Sequence, residues 1–231
     1  MIQVIQRHCQ FSANSVNKQR PDWFDRECIF DSFKETFTDR VKYTAFFDTA
    51  NGKDHFIFNK NVNVVEVESG GEAESFTNVL KYAIDQNYKD TDIIYFVEDD
   101  YLHRDGWVDV LEEGFDMIGA DYYTLYDHPD KYQLPMYDNL QSKIIATSNI
   151  HWRTTPSTTC TFACSFETLK KYMDIHLKFC SGDYTRDHDM FTELWAQGSN
   201  LISCIPGYST HVEANMLSPI INWKQSCFST L

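Results

Sequence analysis

Residues 92–102 read Asp-Ile-Ile-Tyr-Phe-Val-Glu-Asp-Asp-Tyr-Leu. Ile93 to Val97 is a short unbroken apolar run, the pattern of a strand buried on both faces. It leads straight into three consecutive carboxylates, Glu98, Asp99 and Asp100. Side by side at a strand end, these repel one another unless a cation or strong donors sit among them. A hard divalent metal held by oxygen ligands is the simplest relief, with Asp100 as the ligand. Successive side chains of an extended chain alternate in direction, so Asp99 points to the other side of the strand end. The competing reading is a strand followed by a solvated acidic turn.

The elements around this stretch define a fold class. Ile2 to Arg7, Val41 to Phe47, Phe56 to Phe58, Val62 to Val67 and Ile93 to Val97 read as strands. A helical pattern opens at Pro21 and runs to about Phe37. Glu72 to Gln86 is an amphipathic helix with Phe76, Val79, Leu80, Ala83 and Ile84 on one face. Strands alternating with helices through the first 120 residues predict an α/β domain with a mostly parallel central sheet flanked by helices. Val108 to Phe115 then reads as a helix and Met117 to Leu125 as a strand. Asp127 to Ser142 reads as a long surface loop, and Ile144 to Ile150 and Thr158 to Ala163 as strands. Phe166 to Phe179 and Asp189 to Gln197 are helical, Leu201 to Ile205 is a last strand, and Gly207 opens a tail. No repeat or linker divides the 231 residues, so a single domain is the simplest organisation.

Composition narrows the partners. Twenty basic residues against 34 acidic ones give a net charge of −14, which disfavours nucleic-acid phosphates as a target. Seven cysteines, with no CxxC pair, argue for reduced buried thiols and against a four-cysteine zinc site. The N-terminus lacks an apolar signal region and no apolar run approaches 18 residues, so a cytoplasmic protein without a transmembrane segment is expected. The oligomeric state is not written in the sequence. Glycine cradles for phosphate, a nucleophile elbow and an HExxH zinc motif are all missing. Tyr126, His128, Tyr132, Trp152 and Arg153 lie in or near the long loop and form a candidate platform for a sugar acceptor, since aromatic faces and an Arg suit sugar rings and hydroxyls.

In order along the chain stand Asp48 after the second strand, the Gly70-Gly71 turn, Glu98-Asp99-Asp100, Asp187-His188-Asp189 and His211. In this the chain resembles the GT-A class of glycosyltransferases, in particular small enzymes related to glycosyltransferase family 2, of the kind found in bacteria and large viruses. The resemblance implies one GT-A-like, Rossmann-like domain over 1–231. Residues 1–120 would take the nucleotide sugar, and 121–231 the acceptor and the chemistry. The acidic triplet resembles that class's DxD motif with Glu98 in first position; Glu98 and Asp99 would contact the nucleotide sugar. Asp48 would accept a hydrogen bond from a uridine- or thymidine-type base, although it equally reads as a turn aspartate. Where relatives carry Arg-Asn, this chain has Thr77-Asn78, which leaves Asn78 alone.

Asp187, with Gly198 eleven residues later, keeps the spacing of the family's general base, and Asp189 is the alternative; both also suit a helix N-terminus. His211 sits where a late metal-binding His is expected beside Asp100, with Mn²⁺ or Mg²⁺ as the ion. The activity implied is inverting transfer of a sugar, from a UDP-sugar in the first instance, to a hydroxyl on a glycan, in polysaccharide biosynthesis. Two rivals are a sugar nucleotidyltransferase, which needs a glycine-rich basic segment that Ile2 to Arg20 lacks, and a carbohydrate-binding protein without activity.

Overall fold

The computed structural model describes residues 1–228. Four parallel strands lead: β1 (Ile2–Cys9), β2 (Val41–Asp48), β3 (Asn63–Val67) and β4 (Ile93–Glu98). β1 lies between β2 and β4, with Ile2 opposite both Val41 and Ile93. The chain therefore builds outward through β2 and β3, then returns to the other side of β1. That reversal makes the carboxyl ends of β1 and β4 a topological switch point, where open α/β sheets bind ligands. The acidic triplet stands there.

Beyond β4 the sheet is mixed. The later strands are β5 (Tyr101–His103), β6 (Tyr122–Thr124), β7 (Ile144–Ala146), β8 (His151–Thr154), β9 (Phe162–Ser165), β10 (Leu201–Ile205) and β11 (Ser209–His211). The nine-stranded sheet runs β3-β2-β1-β4-β9-β6-β10-β8-β7. β9 is antiparallel to both β4 and β6, β10 is parallel to β6, and β8 and β7 close the edge as an antiparallel hairpin. β5 and β11 form a separate antiparallel pair.

The helices are α1 (Arg26–Glu35), α2 (Glu72–Ile84), α3 (Trp107–Ile118), α4 (Asp130–Gln133), α5 (Phe166–Phe179), α6 (Asp187–Ala196) and α7 (Trp223–Phe228). β4 shows why the sheet is covered on both sides. Ile94 and Phe96 pack with Phe76, Leu80, Phe162 and Phe191 in one core, while Ile93, Tyr95 and Val97 pack with Trp107, Leu111 and Tyr123 in the other. Strand alternation thus divides one apolar run between two cores.

Several boundaries differ from the sequence reading. The first helix begins at Arg26 rather than Pro21, because Asp25 is extended (φ −145°) and its carboxylate accepts the Cys28 N–H at 2.8 Å as a cap. Phe56 to Phe58 is a 3₁₀ turn, capped by His55, and not a strand. α3 runs on to Ile118 and stops where Gly119 turns left-handed (φ 67°), which shortens the following strand to Tyr122–Thr124. The strand expected over Thr158 to Ala163 occupies Phe162–Ser165. Residues 144–154 are a hairpin rather than one strand and a loop. Gly207 opens no tail: β11 pairs with β5, Thr210 opposite Leu102. Among the described residues no helix is long and apolar enough to cross a membrane.

Candidate functional site

Each carboxylate of the triplet meets its own cation, and all four cations come from the first 26 residues. Arg7, on β1, donates to Glu98 at 2.7 Å and to Glu72 at 3.2 Å. Burial works against the Arg7 charge, and Glu98 and then Glu72 more than restore it. The Arg26 Nε lies 3.7 Å from Asp99 Oδ2. Asp100 Oδ2 accepts from Arg20 Nη2 at 2.7 Å and from Lys18 Nζ at 3.0 Å, and lies 2.9 Å from His211 Nε2. Burial alone would raise the Asp100 pKa, but His211, Lys18 and Arg20 hold it well below the usual carboxylate range. Asp99, with a weaker partner and two acidic neighbours, is pushed up by burial to about 6. The repulsion built into the sequence is therefore relieved largely by protein cations.

Asp100 and His211 come together as the sequence reading placed them, carried by β5 and its partner β11. The His211 ring stacks on Tyr101, centroids 5.2 Å apart. Carboxylate and imidazole are donors that suit Mn²⁺. As arranged, though, they do not fit a divalent ion. Lys18 Nζ lies 3.0 Å from Asp100 Oδ2 and 3.1 Å from His211 Nε2, so the ammonium spans both groups. A doubly charged ion about 4 Å from Lys18 and Arg20 would meet roughly 8 kcal/mol of repulsion from each at an effective dielectric of about 20, which together cancels the roughly 15 kcal/mol of attraction to Asp100 at a bonding distance of about 2.2 Å. Elsewhere at this end of the sheet His8, His55 and Asp99 offer three ligand atoms within 4.8 Å of one another. All three atoms are buried without a hydrogen-bond partner, as is the Arg26 Nε beside them. Tyr43 donates to Gln6 and so takes the His8 Nε2 proton as acceptor at 2.9 Å, which leaves Nδ1 as a lone pair. Two donors and two acceptors around one point suit a buried water.

A second group of residues faces a cavity of about 190 Å³, whose lining includes His128, Tyr137, Ser157, Thr159, Asp187 and His188. Asp187 opens α6 and its carboxylate accepts the His188 N–H at 2.7 Å. Burial pushes its pKa up to about 7, with Glu98 and Glu72 adding to the rise. The His188 Nδ1 lies 3.2 Å from the Tyr137 hydroxyl and 3.3 Å from the Ser157 hydroxyl. Between the cavity and the acidic end of β4 stands the buried Tyr101, whose hydroxyl is 2.8 Å from the cavity-lining Thr159 Oγ1 while its ring faces His211. His128 is held by Asp130 at 2.9 Å and packs on Tyr126 at 4.7 Å.

The remaining predicted positions divide. Asp48 Oδ1 accepts from the Ala50 and Ser69 N–H groups at 3.0 and 3.1 Å, and Asn78 donates to Ser69 Oγ at 3.0 Å, so both brace the ends of β2 and β3. Asp189 is exposed, 3.8 Å from Arg186 and outside the cavity lining. Trp152 is corrected: it is fully buried, its ring edge-on to Tyr123 and against Gly114, so no indole face is left for a sugar. Arg153 is buried too, donating to Asp127 at 2.7 Å beneath the Tyr132 ring, and Tyr132 itself donates to Asp127 at 2.8 Å. Tyr126 is fully buried and donates to the Met216 carbonyl. Of the expected acceptor platform, His128 alone lines the cavity. The sequence reading missed Lys18, Arg20, Tyr137, Ser157 and His188; the two basic residues Lys18 and Arg20 after the first strand were the one available signal.

No family model and no curated protein matches this chain. Solved structures do. Staphylococcus aureus TarS (residues 1–349) matches with a TM-score of 0.56 at 14% identity over 90% of this chain; the chain spans 59% of the TarS chain. A nucleotidyl transferase from Methanothermobacter thermautotroptrophicus matches at 0.51, with 11% identity over 89% of this chain and 88% of that one. A CMP:2-keto-3-deoxy-manno-octonic acid synthetase complexed with CTP matches at 0.52, with 11% identity over 89% and 92%. At such identities the likeness is one of fold. The domain is a single GT-A-like α/β unit with a large central sheet flanked by helices.

Proposed function

We propose that the protein is a glycosyltransferase, moving a sugar from a nucleotide diphosphate sugar, a UDP-sugar in the first instance, to a hydroxyl acceptor on a glycan, with inversion. One observation carries the reading: Asp187, a carboxyl with a pKa of about 7, lines a cavity next to the switch point, near enough for Glu98 at the end of β4 to raise that pKa. At 190 Å³ the cavity falls below the roughly 300 Å³ where drug-sized pockets begin, a size suited to one sugar ring. A carboxylate poised near neutral pH can take a proton from an attacking hydroxyl, which is what displacement at an anomeric carbon asks of a general base. The residues at the end of β4 would receive the nucleoside diphosphate, with Asp99 toward the ribose. Asp48 and Asn78 would border the base, and His128, Ser157 and His188 the acceptor. Residues 1–120 would hold the donor and 121–231 the acceptor, in a cytoplasmic protein serving polysaccharide assembly.

The fold is shared with nucleotidyl transferases, so product chemistry decides between the two enzymes. Incubation with a panel of nucleotide sugars and hydroxyl acceptors should release nucleoside diphosphate. Release of pyrophosphate from a nucleoside triphosphate and a sugar phosphate would instead establish the nucleotidyl transferase. A protein that binds sugars but no nucleotide would be the carbohydrate-binding alternative.

A further inference from the structure

We propose that Lys18 and Arg20 form a built-in cationic seat for the diphosphate, standing where a divalent ion would otherwise sit between Asp100, His211 and the ligand. The inference rests on the transferase reading in its choice of ligand. Its geometry rests on this chain's own contacts.

The Lys18 ammonium has three N–H donors. One of them goes to Asp100 at 3.0 Å; His211 Nε2, 3.1 Å away, donates its own N–H to Asp100 and takes none of them, so two donors remain. The Lys18 side chain keeps 24% of its surface exposed, so those donors have an open side. Arg20 is fixed more tightly. It donates to the Val212 carbonyl at 2.6 Å and to Asp100 at 2.7 Å, and its guanidinium stacks on Phe24 at 4.3 Å. It is held between the strand pair that carries His211 and the loop that carries Lys18. A fixed guanidinium and a partly exposed ammonium share the one carboxylate of Asp100, so one of the two positive charges is left for an anion. Charge-assisted hydrogen bonds of this kind are the strong ones, and Arg and Lys are the residues that bind phosphates.

The arrangement also explains how a phosphate site is built without a glycine cradle: Ile2 to Arg20 contains no glycine, yet it delivers both cations to the switch point. Lys18 and Arg20 would hold the phosphates and, as the sugar departs, offset the charge growing on the leaving diphosphate, with no metal at this position.

The test is calorimetric titration of UDP, GDP, CDP, ADP and inorganic pyrophosphate into the full chain, in excess EDTA and again in excess Mn²⁺. It is repeated on Lys18→Met and Arg20→Lys, with circular dichroism melts to establish that each variant is folded. Binding of at least one nucleoside diphosphate is expected, with affinities in the two buffers agreeing within about twofold. Lys18→Met should weaken that binding by about tenfold or more in both buffers. Arg20→Lys keeps the charge but loses the fork, and should weaken it less. Binding that appears only with Mn²⁺, or that Lys18→Met leaves unchanged or tightens, would overturn the proposal while the transferase reading stands. If no nucleoside diphosphate binds the parent protein in either buffer, the transferase reading fails and the proposal falls with it.

Discussion

Asp187 shows how one residue's surroundings set its chemistry. Removal of water disfavours the carboxylate, and Glu98 and Glu72 disfavour it further, so its pKa reaches about 7. As a base it must be ionised, so kcat/KM should rise with pH through about 7 and level off above it. Asp187→Asn keeps an oxygen to accept the His188 N–H and loses the base; transfer should fall by roughly 10²–10⁴-fold and the pH-dependent limb should disappear, as a pH–rate series would show. The same shift has a cost in stability. A carboxyl that ionises near 7 when folded, and near 4 when unfolded, destabilises the fold progressively as pH rises between those values. Asp187→Asn should therefore raise Tm at pH 8 by a few degrees, roughly 2–4 °C per kcal/mol recovered for a chain of this size. Loss of activity with unchanged or lower Tm would point to misfolding instead of a missing base.

Among elements, the pair β5 and β11 does most to assemble the site. β5 follows the acidic triplet directly, and β11 pairs with it antiparallel, which sets His211 opposite Tyr101. The turn into β11 is closely packed. A Cβ on Gly207 would lie 2.8 Å from Ser218 Oγ and 3.1 Å from the Ser209 carbonyl oxygen. Gly207→Ala should therefore strain this turn, costing about 1–3 kcal/mol as overpacking does. Both a lower Tm and weaker nucleoside diphosphate binding are expected, because the displaced strand carries His211 and the Val212 carbonyl that anchors Arg20. A Tm equal to the parent's would show that the turn relaxes without strain.

For the molecule as a whole, acid sensitivity follows from buried histidines. Burial lowers the pKa of His8 and His55, the latter to about 4, and of His103 and His176 to about 3. Unfolded, each takes up a proton near 6.5; folded, none does until much lower pH. Stability is thus lost as pH falls below about 6.5. Burial lowers the His128 pKa as well, and Asp187, Asp99 and Asp127 act in the opposite sense, gaining stability as pH falls toward 4, but they are three groups against five. A Tm lower at pH 5 than at pH 7.5 by roughly 5–10 °C is expected from calorimetric scans. A Tm that rises on acidification would mean that the three carboxyls outweigh the imidazoles.

The sequence by itself determined the sheet's first half, the helices that cover it and the acidic triplet at a strand end. These are local patterns: periodicity of 2 or 3.6, a polar break, and a charge run after an apolar one. The charge run also marked Asp100, and the resemblance to the GT-A class pointed to Asp187 and His211. Only the tertiary structure decided what stands beside them. Lys18 and Arg20 are 82 and 80 residues from Asp100 along the chain, and no local pattern ties a loop cation to a distant carboxylate. Trp152 and Arg153 sit in a polar, hydroxyl-rich stretch that reads as exposed, yet β8 pairs with β10 and carries both inside. Strand pairing across the chain buries them, because a sheet's neighbours are set by the global register and not by the residues on either side.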